Sequence, residues 1–401
     1  MRPRPRRALR RLLGRPEPTP FLESDRIALD PALDLTAAEL ATNAKAIERW
    51  RTGGPHAIRT LLWLVPPFEH ATYGGIHTIL RFADRFARAH DVRTTFAVHG
   101  GTPGQELAVA ERIAAAFPGL GDARVVPAAA ATAEAPDAAI ATFWPTAFVL
   151  ARLDAGAKFL FLQDRESLFY AVGAASALAE QALALGFPAV VNSPALAGVA
   201  PVEATVFTPT VDRELFHPPA TRPADRPVRV FFYARPSTSR NAFGLGLATL
   251  REVKARFGDR VELLAAGEAW DPRRYGLAEG IVTNVGLLGD LAEVAALYRS
   301  CDVGLFFMMT PHASYQPLEL MACGAACVSN DSTTTRWLLE HDRTALLTRP
   351  LPSLVADAVG RLVDDRVLRE RLGAAGRRRV LELPHWDDEI DRVWRALTRG
   401  A

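Results

Sequence analysis

Between Asp302 and Val328 the sequence reads as strand, loop, helix and strand, an order that commits the surrounding chain to a parallel sheet. Asp302-Val-Gly-Leu-Phe-Phe307 is a short apolar run of strand length. After a loop that takes in Ser314-Tyr-Gln316, Pro317-Leu-Glu-Leu-Met-Ala-Cys323 reads as a helix, with Gly324 at its end and a strand beginning almost at once. Pro317 suits the first helical position, where no amide hydrogen is needed. Glu319 follows two residues later, still in the first turn. Such a helix aims its free N–H groups at the mouth of the sheet, which makes an anion site. Two readings of Glu319 stand at this point. Its carboxylate complements the helix dipole, or it accepts hydrogen bonds from the vicinal hydroxyls of a ribose.

The same alternation runs through most of the chain. Thr60–Pro66, Val92–Val98, Ala138–Phe143, Lys158–Gln163, Ala189–Asn192 and Thr205–Phe207 read as strands, with helical stretches between them. A proline-rich stretch from Pro209 to Pro227 interrupts the pattern, which restarts at Val228–Tyr233. Strands follow at Val261–Ala266 and Ile281–Val285, and helices at about Asn241–Phe257, Leu291–Tyr298, Leu354–Val363 and Trp386–Leu397. Strands separated by helices imply parallel sheets covered on both faces. The expected architecture is therefore α/β, two Rossmann-like doubly wound domains facing across a cleft. The expected boundaries are a basic tail at 1–20 and a mixed, partly helical lead-in or added lobe at 21–58. A first domain at 59–209, a linker at 210–227 and a second domain at 228–380 follow. A last helix at 381–401 is placed as crossing back to the first domain.

A length of 401 residues suits two such units. A formal net charge of +2 gives no reason to expect a nucleic-acid partner. No apolar run reaches the ~20 residues that span a bilayer, and no secretory leader is apparent. Cys301, Cys323 and Cys327 are sparse and odd in number, which fits a reduced cytoplasmic setting and small core residues. The arginine-rich start, Arg2 to Arg15, has two readings: a solvated tail, or a peripheral tether to anionic lipid at the inner face of the plasma membrane.

Three clusters carry candidate chemistry. Gly74-Gly75 lies between the first strand and its helix, where glycine lets the backbone approach a ligand closely. Arg235 and Arg240 flank the strand-to-helix loop of the second domain, and guanidinium groups bind phosphate oxygens through paired donors. Gln163-Asp164-Arg165-Glu166 ends a strongly apolar strand, so Asp164 points at the cleft, as a base or an orienter of an acceptor hydroxyl, or pairs with Arg165 or Arg85. His99 and His312 are weaker candidates. There is no H-E-x-x-H, G-x-S-x-G or phosphate-loop motif.

These residues resemble glycosyltransferases of the two-Rossmann-domain (GT-B) fold over roughly residues 59–397. Pro317-x-Glu319-x-Met321-Ala322-x-Gly324 is similar to their nucleotide-sugar signature, Arg235 and Arg240 to their basic pair, and Gly74-Gly75 to their first-domain glycine loop. Phe161–Tyr170, Phe232–Asn241 and Pro311–Leu320 resemble rhamnosyltransferases that build bacterial surface rhamnans, in or near glycosyltransferase family 4. The resemblance implies a nucleotide-diphosphate sugar, dTDP-L-rhamnose, as co-substrate, and a glycan or lipid-linked oligosaccharide as acceptor. It implies a retaining reaction with neither cofactor nor metal. Asp164, Arg235 and Arg240 would be catalytic, and Gly74, Gly75, Gln163, His312, Ser314, Tyr315 and Glu319 would bind substrate. Three departures stand out, one being Arg240 where the second basic residue of the pair is often lysine. Pro311 occupies the place of a glutamate eight positions before Glu319, which leaves the sugar-ring contact to backbone amides near His312–Tyr315. No histidine stands at the Thr142-Phe143-Trp144 strand end. An epimerase of the same fold and a catalytically dead glycan-binding protein are the alternatives.

Overall fold

A computed structural model describes residues 26–399 apart from 55, 73, 132–134, 201 and 224. The Arg2–Arg15 segment lies outside the described residues. Seven strands form the first sheet: β1 (Thr60–Val65), β2 (Arg93–Val98), β3 (Arg124–Pro127), β4 (Ala138–Ala141), β5 (Ala157–Leu162), β6 (Ala189–Val191) and β7 (Ala204–Val206). Six form the second: β8 (Val228–Ala234), β9 (Val261–Gly267), β10 (Thr283–Asn284), β11 (Val303–Leu305), β12 (Ala326–Asn330) and β13 (Ala345–Thr348). Their orders are β3-β2-β1-β4-β5-β6-β7 and β10-β9-β8-β11-β12-β13. Neighbouring strands pair in parallel, as at β1–β4 and β8–β11. Both sheets thus reverse direction once, between β1 and β4 and between β8 and β11. Ligands bind at such switch points, outside the carboxyl ends of the strands.

The central strands are continuous apolar runs because helices cover both faces. In β1, Leu61 to Val65 are all buried, and β5 is buried from end to end. The first core is aromatic: Trp63, Phe82, Phe86, Phe159, Phe161 and Phe207 share one cluster. The second is more aliphatic, with Val230, Leu263, Val303, Leu305 and Val328 of its strands packed against Leu250, Val355, Val359 and Leu362.

Helix α1 (Ala37–Thr52) begins in a capping box in which Thr36 accepts from the Glu39 amide and Glu39 reaches back. It is not a separate lobe. Its Ile47 and Trp50 are buried in the first domain's two core clusters. Helix α2 (Gly74–His90) leaves β1 and turns its apolar stripe, Ile79, Leu80, Ala83 and Phe86, onto the sheet. Helix α3 (Trp144–Arg152) follows β4, and α4 (Phe243–Phe257) follows β8. Helix α5 (Tyr315–Ala322) lies between β11 and β12, and α6 (Arg366–Leu381) packs near it. Gly373 allows the approach, since a Cβ there would stand 2.4 Å from the Gly324 carbonyl oxygen.

The last helix, α7 (Trp386–Thr398), belongs by contact to the first domain. Trp386, Ile390, Val393 and Leu397 recur at helical spacing and sit in the aromatic core. Arg85 of α2 pairs with Asp387 at 3.0 Å and with Asp391. The two sheets are therefore joined twice, by the stretch after β7 and by α7. Among the described residues no helix is long and apolar enough to cross a membrane.

Candidate functional site

The two strand mouths enclose one cavity of about 510 Å³. Gly74, Gly75, Gln163, Asp164, Arg235, Arg240, His312, Ser314, Tyr315 and Glu319 all line it. The topology explains the gathering. Gln163 and Asp164 follow β5, Arg235 and Arg240 follow β8, and His312 to Tyr315 connect β11 to α5.

Four local expectations need correction. Gly74 and Gly75 are the first residues of α2 rather than a turn, and neither has a positive φ. Their use is close approach between domains. A Cβ on Gly74 would come within 3.0 Å of the Tyr315 ring, and one on Gly75 within 3.4 Å of Gln163 Nε2. Pro317 is the third residue of α5, not the first, and Glu319 the fifth, beyond the first turn. Proline is still tolerated there because the first four amides of a helix have no partner within it. Asp164 pairs with neither Arg165 nor Arg85: Arg165 binds Glu180 at 2.9 Å and Arg85 binds Asp387 and Asp391. His99 meets Asp30 at 3.2 Å and is absent from the cavity wall.

The partner of Asp164 is across the cleft. Its Oδ2 accepts from Thr310 Oγ1 at 2.8 Å and lies 3.4 Å from Arg240 Nε. Its Oδ1 accepts the Arg165 amide at 2.8 Å. Arg240 sits over the Phe169 ring, 4.2 Å from its centre, a cation–π contact between domains. Burial pushes the pKa of Arg240 down, and Asp164 beside it pushes back up. Arg235 stands with the Tyr233 hydroxyl, and both depend on Gly267. That glycine has φ +122°, and a Cβ there would be 2.8 Å from the Tyr233 ring and 3.1 Å from Arg235 Cγ.

Glu319 differs from every other carboxylate in the cavity. Among the described residues it has no hydrogen-bond or ion-pair partner, and burial alone pushes its pKa up to about 8. It therefore carries an unused pair of acceptor oxygens on the second-domain wall. His312 shares its Nδ1 with Thr310 Oγ1 at 2.9 Å, and burial lowers its pKa. The His312 amide donates to the Thr310 carbonyl at 2.8 Å, so one of the amides expected to meet a sugar ring is already engaged. Ser314 caps α5 by position without a side-chain cap bond, and Tyr315 reaches across to Thr78 of α2.

Glu166 was missed as a site residue. Its carboxyl reaches back from the loop after β5 to accept the Trp144 amide at 2.6 Å, at the amino end of α3. It thus fills the β4 strand end where no histidine stands. Burial pushes its pKa up to about 8, with Asp164 adding to the rise; the Trp144 amide and Arg240 oppose it. The signal was present in Gln163-Asp164-Arg165-Glu166, but nothing local says that the side chain turns toward α3. Among the described residues, no group of three or more His, Cys, Asp or Glu side chains is arranged to hold a metal ion.

Comparison with known proteins agrees with this architecture. Residues 228–360 match the family described as WsaF, C-terminal domain. The chain is 46% identical over 348 residues to the O-antigen biosynthesis protein RfbC of Myxococcus xanthus; the match takes in 85% of this chain. It spans only 27% of that relative's length. Among solved structures, the sucrose-phosphate synthase of Thermosynechococcus elongatus superposes with a TM-score of 0.62 at 16% identity, over 86% of this chain and 100% of that one. Anabaena HepE, solved with UDP and glucose, gives a TM-score of 0.63 at 15% identity, over 85% of this chain and 100% of that one. Two parallel sheets of Rossmann order, a cleft at both switch points and these similarities agree, and the chain has the two-Rossmann-domain (GT-B) fold.

Proposed function

We propose that the chain transfers a sugar from a nucleoside-diphosphate donor to a growing bacterial surface glycan. The donor is L-rhamnose carried on dTDP, and the product retains the anomeric configuration. The likeness to an O-antigen biosynthesis protein supports the glycan. The stretches Phe161–Tyr170, Phe232–Asn241 and Pro311–Leu320 support the sugar.

The observation that carries the reading is Glu319, a carboxyl without a partner among the described residues in the wall of an interdomain cavity, on the same domain as Arg235 and Arg240. A carboxylate accepts from the two vicinal hydroxyls of a ribose. Two guanidinium groups, with the amino end of α5, stabilise charge on the departing diphosphate. Positive charge from arginine makes a metal unnecessary in this reading. Asp164 and Glu166 then face the acceptor from the first domain. The reaction takes place on the cytoplasmic side, where nucleotide sugars are supplied, with a glycan or lipid-linked oligosaccharide presented at the cleft. A peripheral membrane contact through Arg2–Arg15 belongs to the same proposal.

A thermal-shift panel of nucleoside diphosphates and their sugars tests it. A bound ligand at about 100 times its dissociation constant stabilises the protein by about 2.7 kcal/mol. The expected ranking puts dTDP and dTDP-L-rhamnose first, with rhamnose transfer to a rhamnan acceptor. A flat panel would contradict the reading. The paired carboxyls Asp164 and Glu166 favour one competitor, an epimerase, because sugar inversion needs an acid and a base. Incubation with donor alone separates the two: an isomerised sugar nucleotide would replace the transferase reading.

A further inference from the structure

Asp164 ends β5 of the first domain, yet the side chains that grip its Oδ2 belong to the second. Thr310 Oγ1 donates at 2.8 Å, Arg240 Nε stands at 3.4 Å and His312 Nδ1 at 3.7 Å. The residue is 6% exposed, so this is a closed contact rather than a surface pair. Arg240 is held from the same side by the Phe169 ring, again a first-domain group. An oxyanion of the first domain is thus seated on the cation and hydroxyl of the second, inside the cavity that the proposed donor enters. A diphosphate offers the same chemistry: oxyanions that accept from a guanidinium and a hydroxyl. One Arg240 Nε–H and one Thr310 hydroxyl cannot serve both at once.

We infer that Asp164 holds the seat on Arg240 and Thr310 that a donor phosphate oxygen takes, and that donor binding exchanges carboxylate for phosphate and releases Asp164 toward the acceptor. The inference rests on the reading of the cleft as a nucleotide-sugar site. The exchange keeps one anion on Arg240 throughout, so the guanidinium in the cleft is never left without a counter-charge. It also orders the reaction. Before donor binding Asp164 is locked across the cleft; afterwards it faces the acceptor hydroxyl, so donor precedes acceptor. Because the latch joins the domains, its release also frees them to move relative to each other. Affinity for the donor is reduced by whatever the latch contributes, and weakening the latch returns that affinity.

Calorimetric titration of the full chain with dTDP and with UDP tests this. Asp164→Asn removes the competing charge and is expected to tighten nucleotide binding about tenfold, while transfer falls. Thr310→Val removes a donor from the carboxylate and from the phosphate alike, so in the wild type it is expected to change affinity by less than about twofold. On an Asp164→Ala background, where only the phosphate uses that hydroxyl, it is expected to weaken binding about threefold or more. That difference separates a latch from simple repulsion between Asp164 and phosphate. The inference is overturned if Asp164→Asn binds equally or more weakly. It is also overturned if Thr310→Val has the same effect on both backgrounds. Absence of nucleotide binding by the wild type and all variants would overturn this inference and the donor reading together. Tight wild-type binding with no gain in Asp164→Asn would sink the latch alone.

Discussion

The two walls of the cleft prepare for a ligand in opposite ways. On the first-domain wall the polar groups after β5 are already engaged. Gln163 Nε2 donates to the Gly75 carbonyl at 2.9 Å, Asp164 is gripped from across the cleft, and Glu166 holds the Trp144 amide. On the second-domain wall Glu319 is half-buried in the cavity lining, with no partner among the described residues. A carboxyl drawn partly out of water and left unmatched costs stability in the protein alone and returns it when hydroxyl donors arrive. At Glu319 the second domain is therefore preorganised for its ligand, whereas the groups after β5, and the Arg240 and Thr310 that Asp164 engages, must exchange existing bonds for new ones. The difference suits a donor that docks on the second domain and an acceptor admitted later from the first.

The contrast can be broken most sharply at Arg240. Arg240→Ala removes charge stabilisation from the leaving diphosphate, with an expected loss of about 10²–10³ in kcat, read in a transfer assay. Near-normal turnover would remove Arg240 from the catalytic wall. Next in size is the double link between the domains. Ile390→Ala, on the last helix yet inside the first domain's core, is expected to cost about 2–5 kcal/mol by denaturant unfolding. A change below ~0.5 kcal/mol would mean that α7 does not dock there.

The unmatched Glu319 predicts a pH signature. Its pKa rises from 4.5 to about 8 in the fold. The neutral acid is tolerated and the carboxylate is not, so stability present below pH 4.5 is lost as pH rises through about 8. Glu319→Gln should match the wild type near pH 5 and melt higher above pH 8, while binding nucleotide more weakly. Glu166 has the same upward shift, so part of the pH slope should survive in that variant. A melting curve whose pH dependence is identical in both proteins would remove the desolvated carboxyl from the account. The smallest effect is expected at Gly74. Gly74→Ala places a methyl 3.0 Å from the Tyr315 ring, which must give by a few tenths of an ångström. Stability should change by about 1 kcal/mol or less, while KM for the donor rises because the domains close less tightly. An unchanged KM would mean that the close approach has no bearing on the site.

Much of the fold was legible because fully buried parallel strands are continuous apolar runs. Thr60–Val65, Ala157–Leu162 and Val228–Ala234 stand out on composition alone. Strand β3 and helix α6 did not. β3 is only Arg124–Pro127 with none of its residues buried, and α6 is arginine-rich with glycines on its packed face. The lead-in was read as an added lobe because nothing local shows that Trp50 enters a distant core. The site residues were legible where a backbone signal accompanies the chemistry: glycines before a helix, arginines on a strand-to-helix loop, a proline and an acid near a helix start. What could not be read is which side chains meet across the cleft. Asp164 finds Arg240 and Thr310, and Glu166 turns back to α3, because of how two sheets are set against each other. The helix start was misplaced because Ser314, not Gln316, ends the preceding loop.

In the proposed complex the donor's nucleoside diphosphate binds chiefly to the second domain, with its ribose on Glu319 and its phosphates on Arg235 and Arg240. A crystal structure of the full chain with dTDP is the decisive experiment. A ribose hydroxyl is expected about 2.5–3.0 Å from the Glu319 carboxyl, with phosphate oxygens on both arginines. Nucleotide bound outside the cleft, or inside it with Glu319 untouched, would contradict it.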